Sequence, residues 1–225
     1  MYRVITISRE FGSGGRTIGR EVARQLGIKC YDSELIEKIA EESGLARDYI
    51  ADKGEYAAHS NWFANAFAAS RSYSGFAVNL DNALGAARFV KKKRIAFAAS
   101  RSYSGMSTQD YLWTVQRKII LDLAEKESCV IVGRCADYIL QDRNDCLRVF
   151  IHADMQKRAE RIVKVYGETD ESPEKRLADK DKRRKAYYRF YTDMEWGRSQ
   201  HYHLCLDSGE LGLNKCADVI ASVFK

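Results

Sequence analysis

Apolar residues gather in short runs along the chain, and between the runs they recur three and four positions apart. The first run, Tyr2 to Ser8, holds Val4, Ile5, Thr6 and Ile7 in succession. A continuous β-branched run of this length predicts a strand buried on both faces, as in a parallel sheet. A loop of Arg9-Glu10-Phe11-Gly12-Ser13-Gly14-Gly15-Arg16-Thr17 follows. Ile18, Val22, Ala23 and Leu26 then take helical spacing, with Gly27 placed to close the helix. Ile28 to Tyr31 predicts a second strand, and Leu35, Ile36, Ile39 and Ala40 mark a second helix that Asp32 or Ser33 can cap. Strand, loop, helix, strand and helix in immediate succession predict an α/β domain with a parallel sheet.

The same alternation returns later. Leu112, Val115, Ile119, Ile120 and Leu123 predict a helix over 108–126, and Cys129 to Val132 a third buried strand ending in Gly133-Arg134. Ala136, Ile139 and Leu140 mark a helix, and Leu147 to Ile151 a strand. Residues 154–166 and 173–191 read as two long, charged helices, with Pro173 in the first turn of the second, where its missing N–H costs nothing. His203 to Asp207 predicts the last strand, and Ala217, Ile220 and Val223 the last helix.

The middle breaks the pattern. From about Gly54 to Gly105 the chain is rich in Ala, Ser, Gly and aromatic residues, and the decapeptide Ala66 to Gly75 recurs without change as Ala96 to Gly105. Two copies do not make a solenoid, which needs about three. They fit a local duplication inside an insertion; the alternative is that Arg71 and Arg101 both reach an anionic ligand. Lys91-Lys92-Lys93-Arg94 between the copies reads as a solvated charge run.

Composition narrows the class. The 225 residues carry 37 Lys plus Arg against 31 Asp plus Glu, a net charge of +6. That excess is modest, and no base-reading motif accompanies it, so nucleic acid is not an expected partner. No run approaches the roughly 20 apolar residues of a membrane span, and the early charges of MYRVITISRE do not suit a secretory leader. Six cysteines without a CxxC pair predict buried thiols in a reducing, cytoplasmic setting, and their spacing suggests no zinc site. Nothing in the sequence signals an oligomeric state.

The loop after the first strand carries the chemistry. Gly12, Gly14 and Gly15 let successive N–H groups turn inward as an anion-binding nest, and the helix starting near Thr17 adds its positive dipole end. The standard phosphate loop reads G-x-x-x-x-G-K-[ST]. Aligned on Gly12-Ser13-Gly14, this chain has Arg9 at the first Gly and Gly15 at the Lys. Arg16 or Arg9 is left to supply the missing positive charge, and arginine suits bidentate phosphate contacts.

Arg9 to Arg16, Val130 to Tyr138 and Ala186 to Thr192 together resemble bacterial cytidylate kinase-like proteins. The resemblance spans roughly 1–50 and 108–225 and leaves the repeated middle uncovered. It implies a P-loop NTPase-like, three-layer α/β/α fold with a central parallel sheet and a helical lid. The chain then reads as one kinase-like domain over 1–225, with an inserted or acceptor-binding segment at about 54–107 and a lid region at about 167–197. By position, Gly12, Ser13, Gly14, Gly15, Arg16 and Thr17 would hold the phosphates of ATP, with the Thr17 hydroxyl on Mg2+. Asp32 and Ser33 stand where the family has Asp-Ser beside the acceptor nucleotide, although Asp32 fits a helix cap equally well. Arg134 stands at the family's acceptor-site arginine, at the C-terminal end of a strand where α/β sheets bind ligands. Arg183 and Arg184, with Arg176 and Arg189 behind them, fit a basic lid that stabilises a transferring phosphoryl group. Tyr187, Tyr188 and Tyr191 read as packing residues, and His201 and His203 as surface histidines on one strand face. The implied function is transfer of the γ-phosphate of ATP to CMP or a related small nucleotide. The alternatives are a kinase of the same fold for another small molecule and a nucleotide sensor.

Overall fold

The computed structural model describes residues 1–45, 47, 50 and 107–225. All of these but Ser107 belong to one compact unit. The repeated decapeptide, Arg71, Arg101 and the 91–94 charge run lie outside the described residues.

Five strands form one parallel sheet: β1 (Val4–Arg9), β2 (Lys29–Tyr31), β3 (Cys129–Val132), β4 (Cys146–His152) and β5 (Leu204–Asp207), in the spatial order β2-β3-β1-β4-β5. The described helices are α1 (Gly15–Leu26), α2 (Ser33–Ser43), α3 (Thr108–Lys126), α4 (Ala136–Ile139), α5 (Met155–Tyr166), α6 (Pro173–Thr192), α7 (Ser208–Leu211) and α8 (Leu213–Phe224). Ile5 pairs with Val130 on one side and Leu147 on the other, so β1 is central and all six of its residues are buried. That is why Val4, Ile5 and Ile7 carry apolar side chains to both of its faces.

Side chains still alternate between the two faces. Val4, Cys129, Ile131 and Cys146 pack with Leu35 and Ile39 of α2 and Leu112, Val115 and Ile120 of α3. Ile5, Ile7, Val130, Val132, Leu147, Val149 and Ile151 pack with Ile18 and Val22 of α1 and Ala217 and Ile220 of α8. The result is a parallel sheet, as the residue pattern predicts, inside the three-layer α/β/α sandwich that the family resemblance implies. Ser172 caps α6 by accepting from the Lys175 N–H, and Pro173 sits in its first turn. Gly27 closes α1 at φ 65°, a left-handed conformation that costs glycine little. His201 and His203 depart from expectation: His201 ends a 3-10 turn, Ser199–His201, and His203 precedes the strand Leu204–Asp207, so neither is on a strand. Among the described residues, no helix is long and apolar enough to cross a membrane.

The cysteines are free thiols, and four of the six are buried. Burial pushes the Cys129 thiol up to about 12 and the Cys146 thiol up to about 11, so neither forms appreciable thiolate near neutral pH. A thiol reagent at neutral pH is expected to label exposed Cys205 in the folded protein and to reach Cys129 and Cys146 only in denaturant. Intact mass checks this; rapid labelling of either buried thiol without denaturant would contradict the packing.

Candidate functional site

β1 delivers Arg9 to the C-terminal edge of the sheet, and residues 10–14 turn the chain into α1. Two glycines make the turn: Gly12 and Gly14 both have φ of 81°, where a side chain is strained. The Ser13 hydroxyl pins the turn by donating to the Glu10 carbonyl (2.9 Å) and the Ile151 carbonyl (3.2 Å). Its own carbonyl accepts from the Ser208 hydroxyl at 2.6 Å. Gly14 caps α1 without a side-chain hydrogen bond, and no acidic residue lies in the first turn. The N-terminal N–H groups and the positive dipole end of α1 therefore face the loop without a side-chain anion.

A cavity opens there, between the glycine loop and α5; Arg9, Arg16, Arg161 and Arg184 line it with Phe11 and Tyr166. Nest, uncapped helix and four guanidiniums fit a polyphosphate. For magnesium, the donor set is sparser. The Thr17 hydroxyl is the candidate ligand, and in this structure it accepts from Arg161 Nη2 at 3.0 Å. Among the described residues no group of three His, Cys, Asp or Glu gathers as a metal site. P-loop sites hold Mg2+ through the loop's Ser or Thr hydroxyl and an Asp, with phosphate and water oxygens filling the shell; Thr17 fits the hydroxyl's part of that set.

A second, smaller cavity lies across Arg9 and Arg184, which line both; Ser8, Gly133, Arg134, Tyr188 and Trp196 are among its other walls. Its floor is strained. Gly133, Arg134 and Cys135 take φ of 76°, 60° and 54° in succession, although only the first is glycine. Each non-glycine residue held there costs about 1–3 kcal/mol and persists only where its surroundings fix it. Here Gln116 Nε2 donates to the Arg134 carbonyl at 2.9 Å, and Arg134 Nη1 donates to the Ile50 carbonyl at 3.1 Å. The bend turns the buried Arg134 into the cavity. Below it, Tyr188 donates to Asp137 Oδ2 at 2.8 Å, and full burial pushes the Asp137 carboxyl above its ordinary range.

α6 is docked on the loop through buried charge. Asp181 Oδ1 accepts from the Phe11 N–H at 2.8 Å, and Oδ2 accepts from Arg158 Nη1 at 2.6 Å. Arg158 Nη1 also donates to the Phe11 carbonyl at 3.2 Å, and Arg184 Nη1 to the Arg9 carbonyl at 3.1 Å.

The residues singled out from the sequence divide accordingly. Gly12, Gly14, Gly15, Arg16 and Thr17 line the first cavity, Arg134 the second and Arg184 both, while Ser13 holds the turn from behind. Arg16 is bound outward, its Nε 3.1 Å from Asp32 Oδ1. Asp32 occupies the cap position of α2 but makes no side-chain cap hydrogen bond; it faces Arg16 and Arg20 instead. Ser33 begins α2. Arg183 is half-buried and lines neither cavity, Arg189 is exposed, and Arg176 donates to the Gly167 carbonyl. Tyr187 and Tyr188 are buried, and Tyr191 stacks on Trp113 with ring centroids 4.3 Å apart. Arg158, Arg161, Asp137 and Asp181 were not among the candidates, because each sits in a charged helix or behind a turn without a signature of its own.

A five-stranded parallel sheet with a glycine loop between its central strand and first helix is the fold of the P-loop kinases. Solved structures share it: an uncharacterized protein from Eubacterium ventriosum ATCC 27560 is 23% identical, with TM-score 0.64 over 98% of this chain and 97% of its own. Shikimate kinase from Acinetobacter baumannii, in complex with shikimate, is 14% identical with TM-score 0.51, over 99% of this chain and 93% of its own. Shikimate kinase from Bacteroides thetaiotaomicron is 13% identical with TM-score 0.50, over 98% and 97%. No curated protein matches the chain. The chain belongs to the Cytidylate kinase-like family, whose profile matches residues 4–210.

Proposed function

We propose that this protein is a kinase that moves the γ-phosphate of ATP to a small anionic acceptor, with CMP or a related nucleoside monophosphate as that acceptor. One observation carries the reading: Arg9 and Arg184 line both the glycine-loop cavity and the smaller cavity behind it. Two guanidiniums between a polyphosphate nest and a second basic pocket are where a phosphoryl group in transit needs charge stabilisation.

In this scheme the Gly12–Thr17 backbone binds the donor phosphates and Arg161 covers them. Arg134, fixed by its strained turn, orients the acceptor. Arg184, carried by the 167–197 lid region, meets the charge that spreads over the transferring group. Bound Mg2+, at the Thr17 hydroxyl, would neutralise charge on the donor oxygens. An ionised phosphate acceptor needs no general base, which agrees with a site built from arginines. The free thiols support a cytoplasmic setting.

ADP release with ATP, Mg2+ and a panel of acceptors tests the reading. Mg2+-dependent turnover stimulated by CMP supports it. Turnover with shikimate or another small molecule, and none with nucleotides, would replace the acceptor while keeping the reaction. ATP binding with no turnover on any acceptor would make the protein a nucleotide sensor.

A further inference from the structure

Gly15 is a glycine without a backbone reason. Unlike Gly12 and Gly14, it is absent from the positive-φ residues, and it opens α1 in ordinary helical geometry. Its reason is space. A Cβ at position 15 would meet Arg9 Cβ at 2.6 Å, Cγ at 2.8 Å and Cδ at 3.6 Å. The aliphatic stem of Arg9 thus runs across the face of Gly15, in the room where a side chain at position 15 would start. Arg9 itself is only 4% exposed and lines the glycine-loop cavity. The standard loop has glycine at the first of these positions and lysine at the second, and that lysine reaches the β- and γ-phosphates. Here the two are exchanged. One side chain fills the same space from the opposite wall of the loop.

We infer that Arg9 is the phosphate-binding cation of this site and replaces the P-loop lysine, with Gly15 kept small to let it pass. The inference rests on the ATP-binding function proposed above. Arg16, the other basic side chain beside the gap, is engaged by Asp32 at 3.1 Å and half exposed. Arginine in this place offers a planar fork to phosphate oxygens where lysine offers a point charge.

Calorimetry of Mg·ATP on the full chain tests this, with thermal melting of each variant as the check on folding. Arg9→Met keeps the stem over Gly15 and removes the charge; affinity is expected to fall about 10- to 150-fold, the range for a hydrogen bond to a charged group. Gly15→Lys alone places a side chain into the Arg9 stem and is expected to weaken binding too. The exchange Arg9→Gly with Gly15→Lys restores the standard arrangement and is expected to recover affinity to within about threefold of the parent. Wild-type affinity in folded Arg9→Met, or no recovery in a folded double variant, would overturn the inference. Absence of ATP binding by the unsubstituted protein would instead overturn the proposed function, and this shows before any substitution is made.

Discussion

Replacing Arg184 with alanine is expected to lower kcat about 10³-fold while the affinity for ATP changes by no more than about threefold, the pattern of a group engaged mainly in the transition state. The asymmetry follows from where the side chain is held. Arg184 is 5% exposed, donates to the Arg9 carbonyl at 3.1 Å and lines both cavities. Its charge is thus aimed at the junction between them, where negative charge spreads during transfer, in a setting with little water to screen it. Arg184→Lys is expected to recover only part of the loss, because a compact ammonium cannot reach two oxygens as a planar fork does. Arg183, next to it on α6 but half-buried and outside both cavities, provides the contrast: Arg183→Ala is expected to stay within about threefold of the parent rate. Steady-state kinetics with the acceptor identified by ADP release, beside ATP calorimetry, separate the two effects. Undiminished kcat in Arg184→Ala would remove this residue from the reaction.

What separates Arg183 from Arg184 is helical phase, and that shows how far the sequence can be read. The sheet was legible because Val4, Ile5 and Ile7 and the run Cys129-Val130-Ile131-Val132 put apolar side chains on both faces of strands that lie between two helical layers. The glycine loop was legible because few other local geometries need so many glycines between a strand and a helix. The inside of α6 was not. Its buried positions include Asp181 and Arg184 beside Leu177, Tyr187 and Tyr188, so charge lies on the inward face as well as the outward one and no clear hydrophobic period marks it. Asp32 shows a different limit. Its place before α2 suits a cap, but the guanidiniums of Arg16 and Arg20 on α1 hold its carboxylate, a partnership that exists only once α1 and α2 are brought together. Arg9 and Gly15 carried a readable signal, two departures from one pattern. Only their 2.6 Å approach turns the two departures into one exchange.

Asp181→Ala is expected to destabilise the fold by about 3 kcal/mol, the lower end of the cost of breaking a buried ion pair. The carboxylate serves three groups at once, the Phe11 N–H at 2.8 Å, Arg158 Nη1 at 2.6 Å and, at 3.9 Å, Arg184 Nη1, and Asp181, Arg158 and Arg184 are all buried. Alanine leaves the Arg158 guanidinium inside the protein without its main counter-charge. Two remaining contacts, Glu10 Oε2 at 3.5 Å and the Phe11 carbonyl at 3.2 Å, keep the loss at the lower end. Urea unfolding reads the change as a lower midpoint at unchanged slope. Asp181→Leu combined with Arg158→Met removes both charges and is expected to recover most of the loss, since apolar packing of similar volume replaces a buried pair without large cost. The double variant would be folded yet lack the tie between α6 and the Phe11 N–H, so its ATP affinity is expected to remain lowered. If stability and ATP affinity instead returned together, the tie from α6 to Phe11 would have no part in shaping the phosphate loop.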